Sequence, residues 1–226
     1  MIILGDSQSG FKTNATSVSS LHRLGTYIPA AFTHSRSVWN AAITGGAIVA
    51  GWGFDIVTPI YLRYKHTTPG WGDLCEMTNV VFVISGAGIN DISPLVTDTE
   101  ANRDKAISVI IQRLAEIIED IYASGNQVVI LGIPPYSTGD ASTEDAGAVR
   151  QFNRALHGLA RGTRTPFYNP WYDMVDKSTI NDNVPEFFAD YHDDAGLHYN
   201  NTSAEIVSDI AVAFFEGNII SDRIRS

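Results

Sequence analysis

Apolar residues fall in short blocks separated by glycine, proline and polar clusters. Met1-Ile2-Ile3-Leu4 is one continuous block, closed by Gly5. Val80-Val81-Phe82-Val83-Ile84 is a second. Gln127-Val128-Val129-Ile130-Leu131-Gly132-Ile133 is a third, closed by Pro134-Pro135. Continuous apolar runs of this length predict strands covered on both faces. Residues 37–43 give a further candidate with a more mixed pattern, and residues 166–169 a short edge strand. Between these blocks the period changes. Ile107, Ile110, Ile111, Leu114, Ile117, Ile118 and Ile121 form one stripe of a 3.6-residue repeat. Ser124-Gly125-Asn126 closes that helix with a glycine in the expected place. A second helix is predicted from about residue 144 to 159, with Val149, Phe152, Leu156 and Leu159 inward. The last helix follows His198. There Thr202 and Glu205 form a capping-box pair ahead of Ile206, Ile210, Val212, Phe214 and Phe215. A helix over 17–27 completes the set. Strands alternating with helices predict parallel βαβ units. The expected architecture is one domain, a three-layer α/β/α sandwich with a mainly parallel central sheet.

One segment breaks the alternation. Residues 47–76 carry few periodic signals and many aromatics: Trp52, Phe54, Tyr61, Tyr64 and Trp71. A long irregular insertion in a compact domain is more often a functional loop than filler.

Composition narrows the partners. The 226 residues hold 25 Asp and Glu against 15 Lys and Arg, a formal charge of −10. Phosphate binding needs clustered cations, so nucleic acid is not expected as a partner. Docking on an anionic membrane is disfavoured for the same reason. No apolar run is long enough to span a bilayer. The single cysteine, Cys75, allows no intrachain disulfide and is read as a buried or half-buried thiol. No signal peptide precedes the first block, which makes the cytoplasm the default location. An exported mature chain, or a domain of a phage particle, would suit a glycan substrate better.

Candidate chemistry sits at the ends of the predicted elements. Ser7 lies in Gly5-Asp6-Ser7, just past the first strand. A residue there faces the crevice in which open α/β sheets bind ligands. A serine hydroxyl needs a base at neutral pH. Of six histidines, His198 has the most suitable context, a Gly196-Leu197 turn ahead of a capped helix. His157 and His22 fall on predicted helices, and His34 and His66 have no chemical context. An oxyanion needs donors. Gly45-Gly46, after Asn40-Ala41-Ala42-Ile43-Thr44, offers backbone N–H groups, and Asn90 in Gly88-Ile89-Asn90-Asp91 offers an amide. In isolation Gly45 equally suits a turn, and Asn90 a helix cap. There is no metal-binding spacing, no glycine-rich phosphate loop, and no cofactor is expected. The Gly-x-Ser-x-Gly elbow is also missing, since Ser9 occupies the second glycine's place.

The four blocks taken in order resemble the SGNH hydrolases, the GDSL-type esterase and lipase superfamily. The resemblance runs from Gly5 to His198 and implies an SGNH, flavodoxin-like fold. It implies Ser7 as nucleophile and His198 as base. It also implies an oxyanion hole made by Ser7, Gly45 and Asn90, with Gly46 the alternative glycine. The family's acid stands three residues before the histidine, where this chain has Ala195. Asp194 is the favoured substitute, Asp193 the alternative, and a Ser7–His198 dyad the third arrangement.

The expected activity is that of a serine esterase. The aromatic insertion, with Trp52 and Trp71 as stacking surfaces, points to an O-acetylated carbohydrate substrate. The same aromatics also fit ordinary core or a lid. A general short-chain esterase, lipase or thioesterase is the alternative. A non-catalytic carbohydrate-binding module on the same fold is the alternative of another class.

Overall fold

The structure is a computed structural model that describes residues 2–5, 39–40, 48, 64, 77–85, 88–92, 98–133, 143–170 and 213. Among the described residues, five strands form one sheet: β1 (Ile2–Gly5), β2 (Trp39–Asn40), β3 (Val81–Ser85), β4 (Gln127–Leu131) and β5 (Phe167–Tyr168). The helices are α1 (Ile89–Ile92), α2 (Glu100–Ala123) and α3 (Thr143–Thr163). The order across the sheet is β2-β1-β3-β4-β5, and every pairing is parallel. The chain steps from β1 to β2 on one side, then crosses to β3 on the other. The β1/β3 boundary is therefore the point at which strand order reverses.

The sheet is buried on both faces. Phe82, Val83, Ile84 and Ser85 of β3 are all shielded, as are Val128 to Leu131 of β4. Successive strand residues point to opposite faces, so both faces must be covered. This is the three-layer burial that the continuous apolar runs predict. On one face α2 and α3 pack against each other. α2 also contacts β4 and α3 contacts β5. Of the predicted α2 stripe, Ile107, Ile110, Leu114, Ile117, Ile118 and Ile121 are buried, while Ile111 is only partly buried at its margin, as is Leu159 on α3.

The observed elements differ from the predicted ones mainly at their ends. β3 runs one residue later than its apolar block, and β4 stops at Leu131, before Gly132 and Ile133. Of residues 37–43, Trp39–Asn40 form β2. Among the described residues β5 stands at one end of the sheet, as expected of an edge strand, and β2 at the other. α2 begins well before its first apolar stripe position. Its opening turns are polar and invisible to apolar periodicity. They are held by Thr99, whose hydroxyl accepts from the Asn102 N–H at 3.3 Å. α3 likewise outruns its stripe and ends at Thr163.

The end of α2 also starts β3. Gly125 takes φ 72°, its N–H reaches the Tyr122 carbonyl, and the Asn126 N–H reaches the Ile121 carbonyl. This is a Schellman closure. It delivers the buried Asn126 side chain to the entry of β3. Its Oδ1 accepts from the Val80 N–H at 2.9 Å, and its Nδ2 donates to the Met77 carbonyl at 2.6 Å. A second amide fixes the exit of β4. Asn153 accepts from the Ile133 N–H at 2.9 Å and donates to the Ile133 carbonyl at 2.8 Å. That pairing satisfies both backbone groups of a buried residue just past the strand.

Candidate active site

The crevice outside the carboxyl ends of β1 and β3 is where ligands bind in sheets of this strand order. Gly5 and Ser85, the last residues of the two strands, are partners in register. The chain that leaves β3 turns at Gly88, forms α1 and presents the Gly-x-Asn-Asp block at this edge. Gly88 has φ 118°, a backbone region that L side chains rarely adopt. Space demands glycine as well. A Cβ there would stand 2.5 Å from both Cε1 and Cζ of Phe152, on α3. The Gly88 carbonyl accepts from the N–H groups of Asp91 at 3.1 Å and Ile92 at 3.0 Å, closing the turn.

Asn90 is half-buried and is the second residue of α1. It is not the residue that opens the helix; Gly88 closes that end through its carbonyl. An N-cap residue lies outside the helix it caps, so the helix-cap alternative does not hold. A side-chain amide cannot titrate in the working pH range, so it can supply a hydrogen-bond donor of constant charge.

Asp91 is completely buried. Its Oδ2 accepts a hydrogen bond from the Ile48 N–H at 2.7 Å. Ile48 lies three residues after Gly45 in the chain. The block that carries Asn90 is thus joined to the segment that follows Gly45. The sequence pattern did not assign this role to Asp91. The available signal was a carboxylate between Ile89 and Ile92, where an apolar or solvated residue would be ordinary. Phe152 is buried, as its helical period predicts, and its ring is what meets Gly88, a contact the period does not reveal.

Ser7, Gly45, Trp52, Trp71, Asp193, Asp194 and His198 lie outside the described residues. So do Gly46, Cys75, Ala195 and the remaining histidines except His157. That ring lies on α3, stacked on Phe167 at 5.7 Å between centroids. One aromatic of the 47–76 insertion is described. Tyr64 is buried and packs edge-on against Phe82 of β3, with centroids 5.8 Å apart. It belongs to the core, not to a sugar-stacking surface. Within the predicted last helix, Ala213 is helical and exposed.

A separate cavity of about 540 Å³ is bordered by α2, α3 and the end of β5, with Arg103, Arg150, Arg154 and Asn169 among its lining residues. It includes no residue of the Gly-x-Asn-Asp block. Arg103 there locks two helices together. Its Nε donates to Gln151 Oε1 at 2.9 Å and its Nη1 to the Asp98 carbonyl at 2.6 Å. Among the described residues, no group of three or more His, Cys, Asp or Glu is placed to hold a metal. No helix among them is long and apolar enough to cross a membrane.

The fold is similar to those of solved GDSL-type hydrolases. A GDSL-like lipase from Bacteroides thetaiotaomicron superimposes with a TM-score of 0.61 at 17% identity, covering 96% of this chain and 87% of that one. An acetyl xylan esterase superimposes with a TM-score of 0.60 at 16% identity, covering 94% and 98%. An acetyl-xylooligosaccharide esterase from Geobacillus does so with a TM-score of 0.64 at 14% identity, covering 94% and 92%. A comparison with curated proteins finds no sequence match. The model of the GDSL-like Lipase/Acylhydrolase family matches residues 3–206, a span that holds all four blocks from Gly5 to His198. The chain therefore belongs to that family of ester hydrolases.

Proposed function

We propose that this family member is a serine esterase that removes acetyl groups from O-acetylated carbohydrate. The observation that carries the reading is the register of β1 and β3. Gly5 pairs with Ser85 at the strand-order reversal. Ser7 follows Gly5 by two residues, and two residues span at most about 7 Å. That short tether supports the reading of Ser7 as the nucleophile that works with the block after β3.

Ser7 Oγ attacks the ester carbonyl while His198 takes the hydroxyl proton. The N–H groups of Ser7 and Gly45 and the Asn90 amide hold the tetrahedral oxyanion. Collapse breaks the bond to the sugar oxygen, which leaves with the proton from His198. Water, deprotonated by His198, then attacks the acetyl-enzyme. Acetate departs and Ser7 regains its proton. Asp194 orients the imidazole.

Two considerations support a carbohydrate substrate. Trp52 and Trp71 fall in the aromatic insertion, and flat rings suit sugar faces. Two of the similar structures are esterases of acetylated xylan or xylooligosaccharide. The second reading is a general short-chain esterase or lipase, favoured by the lipase with the same fold.

A substrate panel tests both. Aryl esters of rising acyl length and acetylated xylooligosaccharides are assayed on wild type and Ser7→Ala. A preference for acetyl, with rapid release of acetate from the oligosaccharide, is expected. Activity that rises with chain length would instead select the lipase. A folded Ser7→Ala that keeps wild-type turnover would exclude the serine mechanism. Resistance of wild-type Ser7 to a fluorophosphonate would indicate a non-catalytic module.

A further inference from the structure

We infer that Asp91 is a positioning residue for the oxyanion hole: its buried carboxylate clamps the chain just after Gly45 to the turn that bears Asn90. The inference rests on the assignment of Gly45 and Asn90 as oxyanion donors proposed above.

Two donors on different segments stabilise one oxyanion only if their spacing is fixed before the reaction. Neither segment achieves that alone. α1 is a single turn, and Gly45 lies 45 residues before Asn90 in the chain. The Asp91–Ile48 bond spans this gap directly. It links residues 43 positions apart at 2.7 Å, and both are fully buried. The surroundings stiffen it. The Ile48 Cδ1 atom lies 3.5 Å from the point where a Gly88 Cβ would stand, and the Phe152 ring closes the same space. Sliding of Ile48 or rolling of α1 would therefore break a buried hydrogen bond and collide with packed atoms.

The choice of residue argues for geometry over charge. A carboxylate beside an oxyanion hole opposes a developing negative charge. Burying a carboxyl group is also costly unless it is hydrogen-bonded. Its benefit is therefore its acceptor oxygen, held at one place. An asparagine retains that oxygen, and an alanine does not.

The test compares wild type, Asp91→Ala and Asp91→Asn. Four quantities are read: kcat and KM on an aryl acetate, the inhibition constant of phenylboronic acid as a tetrahedral mimic, and melting temperature by circular dichroism. Asp91→Ala is expected to lose about tenfold to a hundredfold in kcat, with KM nearly unchanged, since small misplacements of reacting groups carry penalties of that order. Boronate affinity should weaken in parallel. Asp91→Asn should recover most of both. A purely structural role would lower melting temperature and leave kcat per folded molecule and boronate affinity intact, which would overturn the inference. Equal impairment of Asp91→Asn and Asp91→Ala would overturn it too. If Asp91→Ala does not fold, the same readings are taken on Asp91→Ser, whose shorter side chain brings its oxygen less far. Wild type that neither hydrolyses esters nor labels at Ser7 would refute the esterase proposal itself. An active wild type with an indifferent Asp91 would refute only the clamp.

Discussion

The carboxylate of Asp91 and the backbone N–H of Ile48 meet at 2.7 Å, with no exposed surface on either residue. The bond joins two blocks that the sequence presents as independent motifs. It also divides the work within Gly88-Ile89-Asn90-Asp91. Gly88 permits the turn, Asn90 is left half-buried at the crevice edge, and Asp91 faces inward. Two adjacent polar residues thus take opposite fates, which is natural on a helix, where neighbours point about a quarter-turn apart.

Asn90→Ala should separate catalysis from stability. Asn90 stands inside α1 and does not cap it, so the melting temperature should change little. With Asn90 as the proposed oxyanion donor, its loss should lower kcat by about a hundredfold to a thousandfold. KM should move much less. Turnover and thermal unfolding measured on one preparation check both parts. A large fall in melting temperature with unchanged turnover would return Asn90 to a structural role.

Gly88→Ala should destabilise the fold more than a surface change would. The added Cβ would lie 2.5 Å from the Phe152 ring, and φ 118° is strained for alanine. A cost of about 1–3 kcal/mol is expected from the backbone term alone. At this chain length each kcal/mol lowers the melting temperature by roughly 2–4 °C. Shortening the ring in Gly88→Ala/Phe152→Leu should recover the steric part, and a double-mutant cycle measures that coupling. Strict additivity would mean that the ring does not enforce the glycine.

Gly88 also shows where sequence legibility ends. The strands were readable because burial on both faces demands unbroken apolar runs, and Val81 to Ile84 supplies one. The helical stripe from Ile107 to Ile121 was readable for the same reason, with its own period. Element ends were not, because polar first turns such as Glu100 to Lys105 carry no apolar signal. The site was legible only as motif letters. That Gly88 must be glycine depends on Phe152, 64 residues away, and the role of Asp91 depends on Ile48. Such relations exist only after folding. In the aromatic insertion, composition alone leaves core and sugar platform both open. Tyr64 shares the composition of a sugar platform, yet it packs on Phe82 in the core.

Arg164→Gly should stabilise the protein. Arg164 ends α3 with φ 56°, and the Thr165 N–H reaches the Ala160 carbonyl at 2.8 Å in the closing turn. A side chain in that left-handed conformation costs about 1–2 kcal/mol, which glycine avoids. Part of the gain is lost to the greater freedom of glycine in the unfolded chain. A net rise in melting temperature of roughly 2–4 °C is expected. A fall would show that the Arg164 side chain contributes more than its backbone costs.

Asp98 should give α2 a small acid-sensitive contribution. The Asn102 side chain, then the Thr99 N–H, hold its carboxyl below the usual aspartate value, with Arg103 adding a favourable charge. A lowered native value means the stabilisation is present above the unfolded value of about 3.9 and disappears as pH falls through the lowered one. Denaturant unfolding of wild type and Asp98→Ala should therefore differ most near neutrality and converge in strong acid. A difference that grows on acidification would contradict the sign.

The identity of the acid behind His198 is settled by pairing substitutions with pH profiles. Ala195 stands where the family's acid would be, and Asp194 and Asp193 are the nearest carboxylates. An unperturbed histidine titrates near about 6.5, so activity should fall as pH drops through that region and His198 becomes charged. A carboxylate hydrogen-bonded to the ring favours the charged imidazolium and raises its pKa. Removing that partner must then lower the pKa and move the acidic limb to lower pH. If Asp194 is the partner, Asp194→Asn cuts kcat strongly and shifts the limb in that direction, while Asp193→Asn leaves both unchanged. Exchange of the two results would assign the role to Asp193. If neither substitution changes kcat or the limb, the imidazole works as a dyad with Ser7, and Asp194 has no part in the reaction. A loss of kcat without a shift of the limb would place the altered aspartate elsewhere than on the ring. The shift, more than the loss, identifies the acid, because a misfolded loop lowers turnover without a systematic change in the titration of His198.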